Sequence, residues 1–265
     1  IPSAFYGTPT TAVEKVKHTY DGAFRELWCV GEGNYLVGTD ADGIQLRILA
    51  DLMGSQEYVD AILSGKKEDE TDIHNVNRKA LGLSHITRDM AKTFIYAFLL
   101  GAGTAKVSQI LKTDKRQATK AVNNFMESIS GLSRLKKKIV PQIAENGYFR
   151  GYDGRKVKVP SEHKTLAGML QNGESTIMKY ATRKWINWGR KEGIVFKLVT
   201  WPHDEWQTEV IGSKDSAERL GTIQRKSIES VGVELGLTCP LAGSTSIGKS
   251  WLDTHQQIQY NILST

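Results

Sequence analysis

Three groups of residues in this chain have types and spacings that could do chemistry. In "YLVGTDADGIQLR" an apolar run ends in two acids, Asp40 and Asp42, and a glycine leads into a helical pattern whose first polar residue is Gln45. Acids at the end of a strand sit where the backbone leaves a sheet, a place suited to holding a cation. Asp42 also has a structural reading, because "DGIQ" matches a capping box with Asp42 as N-cap and Gln45 reaching back. Asp40 precedes that cap, and its competing role is an ordinary turn residue.

The second group is His203-Asp204-Glu205, a run of ionisable residues between two apolar stretches and flanked by Trp201 and Trp206. Such a run is usually a solvated turn, although the neighbouring indoles can desolvate at least one acid. The third is "RDMAKTFIYAFLLGAG". Arg88, Lys92 and Tyr96 fall at i, i+4 and i+8 and so form one stripe along a helix. A solvated basic face is the plain reading. Two cations followed by a ring also suit a phosphate chain with a flat base beyond it.

The elements that must position these residues can be outlined from composition and pattern. The chain has 265 residues, enough for one large domain or two small ones. Residues 1–50 hold strand-like runs such as "FRELWCV" and "NYLVGTD", residues 51–150 read as helical, and residues 151–265 return to mixed structure. "GYFRGYDGRKVKVP" and "GIVFKLVTWPHDEWQTEVIG" are hairpin signals. In the second, Glu205, Gln207 and Glu209 face opposite to Trp206, Thr208 and Val210. Thr87 caps the start of the Arg88 helix, Gly101 and Gly103 end it, and the stretch 163–191 is a helical pattern weakened by its glycines.

Lys and Arg exceed Asp and Glu by 35 to 29, a net charge of +6 that favours a polyanionic partner. Cys29 and Cys239 have no metal-type spacing, and two cysteines make no disulfide framework for a chain this long, which points to a reducing, intracellular setting. The longest apolar run is too short to span a bilayer, so no membrane partner is expected. The chain starts "IPSAFYG" without a methionine and reads as a fragment or processed product.

Taken in order, the three groups resemble motifs A, B and C of family A (Pol I-like) DNA polymerases, most of all the replicative enzymes of short-tailed phages. "DADGIQLR" is similar to motif A, "RDMAKTFIYAFLLGAG" to motif B and "HDE" to motif C. Supporting stretches are "DIH" at 72–74, "GYDGRKVKVP", Gln171, "IGKSWLDTH" and the opening "IP". The resemblance implies an α+β right-hand fold. Its palm, an antiparallel sheet with packed helices, would be formed by 1–50 and 151–265, and helical fingers would be inserted at 51–150. The thumb and exonuclease would be missing from this chain and supplied by an upstream segment or another chain, alongside a processivity factor.

The function implied by the resemblance is template-directed addition of deoxynucleotides to a primer 3′-hydroxyl, with primer-template DNA and dNTPs as partners. If the chain is phage-encoded, its setting would be the cytoplasm of a bacterial host. By resemblance, Asp40, the Ala41 carbonyl, Asp204 and Glu205 would hold two Mg2+ ions about 3.5–4 Å apart, with Mn2+ able to substitute. His74, Arg88 and Lys92 would grip the triphosphate, Lys92 as proton donor to the leaving group. Tyr96 would stack near the sugar and base. His203 and Gln171 would meet the primer and template strands, while Arg155, Lys156 and Lys158 would meet backbone phosphate.

Two positions depart from the family pattern. Gln45 stands where motif A carries the glutamate that excludes ribonucleotides. Leu100 stands where motif B carries that glutamate's tyrosine partner. An amide beside an apolar residue avoids burying an unpaired carboxylate, and the expected consequence is weaker discrimination against ribose. Two other activities share part of the pattern. A single-subunit RNA polymerase or primase-like enzyme shares "GIQ" but not "HDE". A nucleic-acid-binding fragment with little catalysis would be consistent with the missing thumb, but it leaves both aspartates and the Arg-Lys pair unexplained.

Overall fold

The computed structural model describes residues 24–255. In chain order the elements are β1 (Tyr35–Ala41), α1 (Ile44–Met53), α2 (Gln56–Leu63), α3 (Ile73–Leu81), α4 (Arg88–Leu99), α5 (Thr104–Ile110) and α6 (Lys115–Ser128). Next come α7 (Leu132–Arg134) and α8 (Val140–Asn146), joined by a π-helical turn at Leu135–Ile139. The remainder is β2 (Tyr148–Arg150), β3 (Lys156–Lys158), α9 (Glu162–Lys191), β4 (Phe196–Thr200), β5 (Glu205–Val210), α10 (Lys214–Glu234) and β6 (Gly243–Gly248).

These residues form two compact units. A sheet unit takes 24–42, 178–231 and 242–255, and a helical unit takes 43–177 with 232–241. The helical unit therefore runs past residue 150 and includes the first hairpin.

The sheet unit is antiparallel, with strand order β4-β5-β1-β6. Its central strand, β1, lies opposite β5 from Tyr35↔Val210 to Asp40↔Glu205. This register sorts the side chains by face, as period-two alternation requires. One face carries Thr39, Trp206 and Thr208 and is covered by α9 and α10. Trp206 meets Trp185 with ring centroids 5.8 Å apart. Gln224 of α10 bridges two strands, accepting from Thr39 Oγ1 at 2.7 Å and donating to Thr208 Oγ1 at 3.0 Å. The opposite face carries Gly38, Asp40, Glu205 and Gln207. Glycine is needed at position 38, since a Cβ there would lie 2.7 Å from both Gln207 Nε2 and Thr254 Cβ.

The helical unit is held by an aromatic trio. Phe125 of α6 meets Phe94 and Phe98 of α4 edge-on, at 5.2 and 5.4 Å. Thr87 caps α4 by accepting from the Met90 N–H. Both hairpins form where alternation and turn residues place them. Two local expectations need correction. "FRELWCV" is not a strand: 24–26 is a helical turn, only Cys29 bridges, to Ser250, and Leu27 is exposed. The glycines of α9 do not interrupt it. Gly173 and Gly189 are points of close packing, against Ile48 and Phe196 respectively. The opening "IP" lies outside the described residues.

Candidate active site

In the sheet unit, Asp40 is the penultimate residue of β1 and lies directly opposite Glu205. One residue on, the Ala41 N–H donates to the Asp204 carbonyl at 3.0 Å. The ladder thus sets the "DA" of the first group against the "DE" of the second at one sheet end. His203 makes that turn with a φ of 52°, uncommon for a residue with a side chain. The turn is closed by the Glu205 N–H to the Pro202 carbonyl at 3.0 Å and by Trp201 Nε1 to the His203 carbonyl at 2.9 Å.

Glu205 is buried, and its Oε1 accepts from Gln207 Nε2 at 2.5 Å and Trp251 Nε1 at 2.8 Å. Burial pushes its carboxyl above the usual range, partly opposed by those two bonds and the Arg25 charge.

Among the described residues no cluster of three or more His, Cys, Asp and Glu is placed to hold a metal ion. Asp40, near the end of β1, and Asp204, in the turn just before β5, nevertheless bring to one sheet end carboxylates of the kind that suits Mg2+. That ion takes hard oxygen donors, is bound through one or two carboxylates, and completes its shell with water and substrate phosphates. The residues present fit such an ion.

In the helical unit, Arg88 begins α4 and donates to Asp72 Oδ2 through Nε at 2.9 Å and through Nη2 at 2.6 Å. Asp72 is the N-cap of α3 and also accepts from Asn75. Burial alone would raise the Asp72 carboxyl, but the bonds from Arg88 and Asn75 outweigh it and the net shift is downward. His74 lies in the first turn of α3, buried, with no hydrogen-bond partner for Nδ1 among the described residues. Burial, and then the charges of Arg88 and Lys92, lower its pKa to about 4, so the ring is neutral at pH 7. Lys92 and Tyr96 come after Arg88 along α4, both half-buried, and Leu100 ends the helix, 54% exposed. Two partly buried cations on one helix, acting on a buried neutral imidazole, suit an anion.

Elsewhere in that unit Gln171 is exposed on α9. Arg155, Lys156 and Lys158 are exposed on the first hairpin, with Arg155 paired to Asp153 and Lys156 over the Tyr148 ring. The capping box is not formed. Gly43 occupies the N-cap in a left-handed conformation, with no side-chain cap, and the Asp42 N–H goes to the Ala242 carbonyl. Gln45 instead donates from Nε2 to Glu174 Oε2 at 2.8 Å. Sequence reasoning misses Glu174 and the role of Asp72. The N-cap position of Asp72 before "IHN" is a usable signal, whereas nothing local marks Glu174.

A profile of DNA polymerase family A matches residues 11–253. The DNA-directed DNA polymerases of Enterobacteria phage T3 and Escherichia phage T7 are each 30% identical over 94% of this chain and 37% of their own length. The chain thus spans somewhat over a third of these relatives. Among solved structures, the POL domain of Pol1 from M. smegmatis, in complex with DNA primer-template and dNTP, superposes with a TM-score of 0.77. It is 22% identical, and the match covers 94% of this chain and 44% of that one. With a family profile running along nearly all of its length, this chain belongs to DNA polymerase family A.

Proposed function

We propose that the chain is the core of a template-directed DNA polymerase, palm and fingers, extending a primer 3′-hydroxyl with deoxynucleotides and releasing pyrophosphate. The observation that carries this is the Ala41 N–H to Asp204 carbonyl bond, which sets Asp40 and Asp204 at one sheet end. The family relationship supports the reading, as do the DNA and dNTP bound in the mycobacterial structure. The palm is assigned to 1–50 and 151–265 and the fingers to 51–150. Phage relatives favour the cytoplasm of a bacterial host as the setting.

On this reading Asp40, Asp204 and the Ala41 carbonyl hold Mg2+, with Mn2+ able to substitute and Glu205 beside them. The ions, when bound, make the primer hydroxyl more acidic and neutralise charge on the triphosphate. The chain's own groups do the rest. Arg88 presents a guanidinium already oriented by Asp72, which lowers the ordering cost of gripping a phosphate. Neutral His74 can donate one ring N–H to a phosphate oxygen. Lys92 holds the proton that the departing pyrophosphate takes up. Tyr96 stacks near the sugar and base, while His203, Gln171, Arg155, Lys156 and Lys158 bear on the DNA strands. Gln45 and Leu100 line the sugar gate, with weaker exclusion of ribose than a glutamate–tyrosine pair gives.

The test is primer extension by this chain with Mg2+ and dNTPs. Asp204→Ala should abolish extension while leaving primer-template binding intact. Extension by that variant at the parental rate sinks the reading, and primer-independent synthesis from rNTPs would assign an RNA polymerase instead.

A further inference from the structure

We propose that Glu174 is a positioning residue for nucleotide sugar selection, acting through Gln45. The inference rests on the reading of Gln45 as the gate residue and adds the group that holds it in place. Gln45 Nε2 donates to Glu174 Oε2 at 2.8 Å, and Glu174 is 8% exposed. The two lie far apart in sequence, on α1 and α9. They meet because Gly173, the neighbour of Glu174, lets α9 approach α1: a Cβ at 173 would sit 3.1 Å from Ile48 Cδ1 and 3.3 Å from Ile48 Cγ2. Ile48 lies three residues beyond Gln45, on the same side of α1.

The chemistry gives the contact a direction. A carboxylate only accepts, so it fixes the amide with Nε2 towards Glu174 and leaves Oε1 as the end able to accept from another group. A freely rotating amide could present donor or acceptor to the sugar. A held one presents a single shape and a single polarity. The charge usually carried by the gate residue is thereby transposed, with the carboxylate on α9 and the amide at the gate. Whatever exclusion of ribose this chain retains depends on Glu174.

The experiment is single-turnover primer extension with matched dNTP and rNTP by the parent chain, Gln45→Ala, Glu174→Ala, Glu174→Gln and the Gln45→Ala/Glu174→Ala double variant. Unfolding midpoints of all five confirm that each folds. Glu174→Ala should lower dNTP-over-rNTP selectivity by about 10- to 100-fold, the scale of a lost hydrogen bond to a charged group, mainly by improving rNTP use. Glu174→Gln keeps an acceptor and should recover most of the loss. The double variant should be no less selective than Gln45→Ala, because Glu174 acts through Gln45.

If Gln45→Ala itself leaves selectivity unchanged, the gate reading fails. If Gln45→Ala changes it and Glu174→Ala does not, the gate stands and the positioning role is overturned. Equal losses with dNTP and rNTP in Glu174→Ala, or additive effects in the double variant, also overturn it. Should a Glu174 variant not fold, Gly173→Val offers a second route. Its side chain meets Ile48, and the proposal requires it to lower selectivity through the same contact.

Discussion

His74 is a buried neutral imidazole, and the sign of its titration can be read out in stability. Its folded pKa of about 4 lies below the ordinary 6.5, chiefly through burial and then through Arg88 and Lys92. Between those values the unfolded chain binds a proton that the folded chain refuses. Stability contributed by His74 is therefore present above about pH 6.5 and is lost as pH falls towards 4, by roughly 3 kcal/mol in total. His74→Gln should flatten that part of the profile, measured as urea midpoints from pH 7 to pH 4. An unchanged slope would mean that the acid sensitivity lies elsewhere. The same residue shows how far single positions are legible. "DIH" marks His74 by resemblance, yet its neutrality arises from burial and two cations on another helix, which no local pattern records. The Gln45–Glu174 bond is hidden for the same reason, and the local pattern points instead to a cap that the backbone at Gly43 does not form.

At the scale of elements, glycines separate close packing from mere flexibility. Gly38 sits in β1 beneath Gln207 and Thr254, each of which a Cβ would approach within 2.7 Å. Gly38→Ala should cost about 1–3 kcal/mol through overpacking and displace the strand that carries Asp40. Gly168, in the interior of α9, has nothing within 4 Å of a would-be Cβ. Gly168→Ala should raise stability by about 0.5–1 kcal/mol, the helix propensity difference. Thermal midpoints of the two variants should move in opposite directions. Hairpins and helices are readable because their signals are local: alternation about Pro202, the turn at Gly154, the cap at Thr87. The strand order β4-β5-β1-β6 is not, because pairing between Asp40 and Glu205 joins distant segments that carry no mark of each other. Only the ordered resemblance of three motifs anticipates that the two acid groups meet.

For the molecule as a whole, the excess of cations matters less than where it can touch a polyanion. The net charge of +6 gives a general attraction to nucleic acid, screened by salt and indifferent to sequence. The hairpin β2–β3 concentrates Arg155, Lys156 and Lys158 in exposed positions. Asp153 holds the Arg155 guanidinium through Nε at 2.5 Å, and the Tyr148 ring lies 4.4 Å from Lys156 Nζ. Both contacts fix cations that would otherwise cost side-chain entropy to order. If these residues bear on backbone phosphate, the logarithm of primer-template affinity should fall steeply with the logarithm of salt. Replacing all three with alanine should then reduce that slope by up to about 3, one counterion per lost contact. Binding measured from about 50 to 200 mM salt, with either of two unrelated duplex sequences, provides the slope. Weaker binding at every salt with an unchanged slope would show that the hairpin acts through the fold without touching phosphate. A reduced slope that is equal for both sequences would make it a grip on the backbone alone, blind to base sequence.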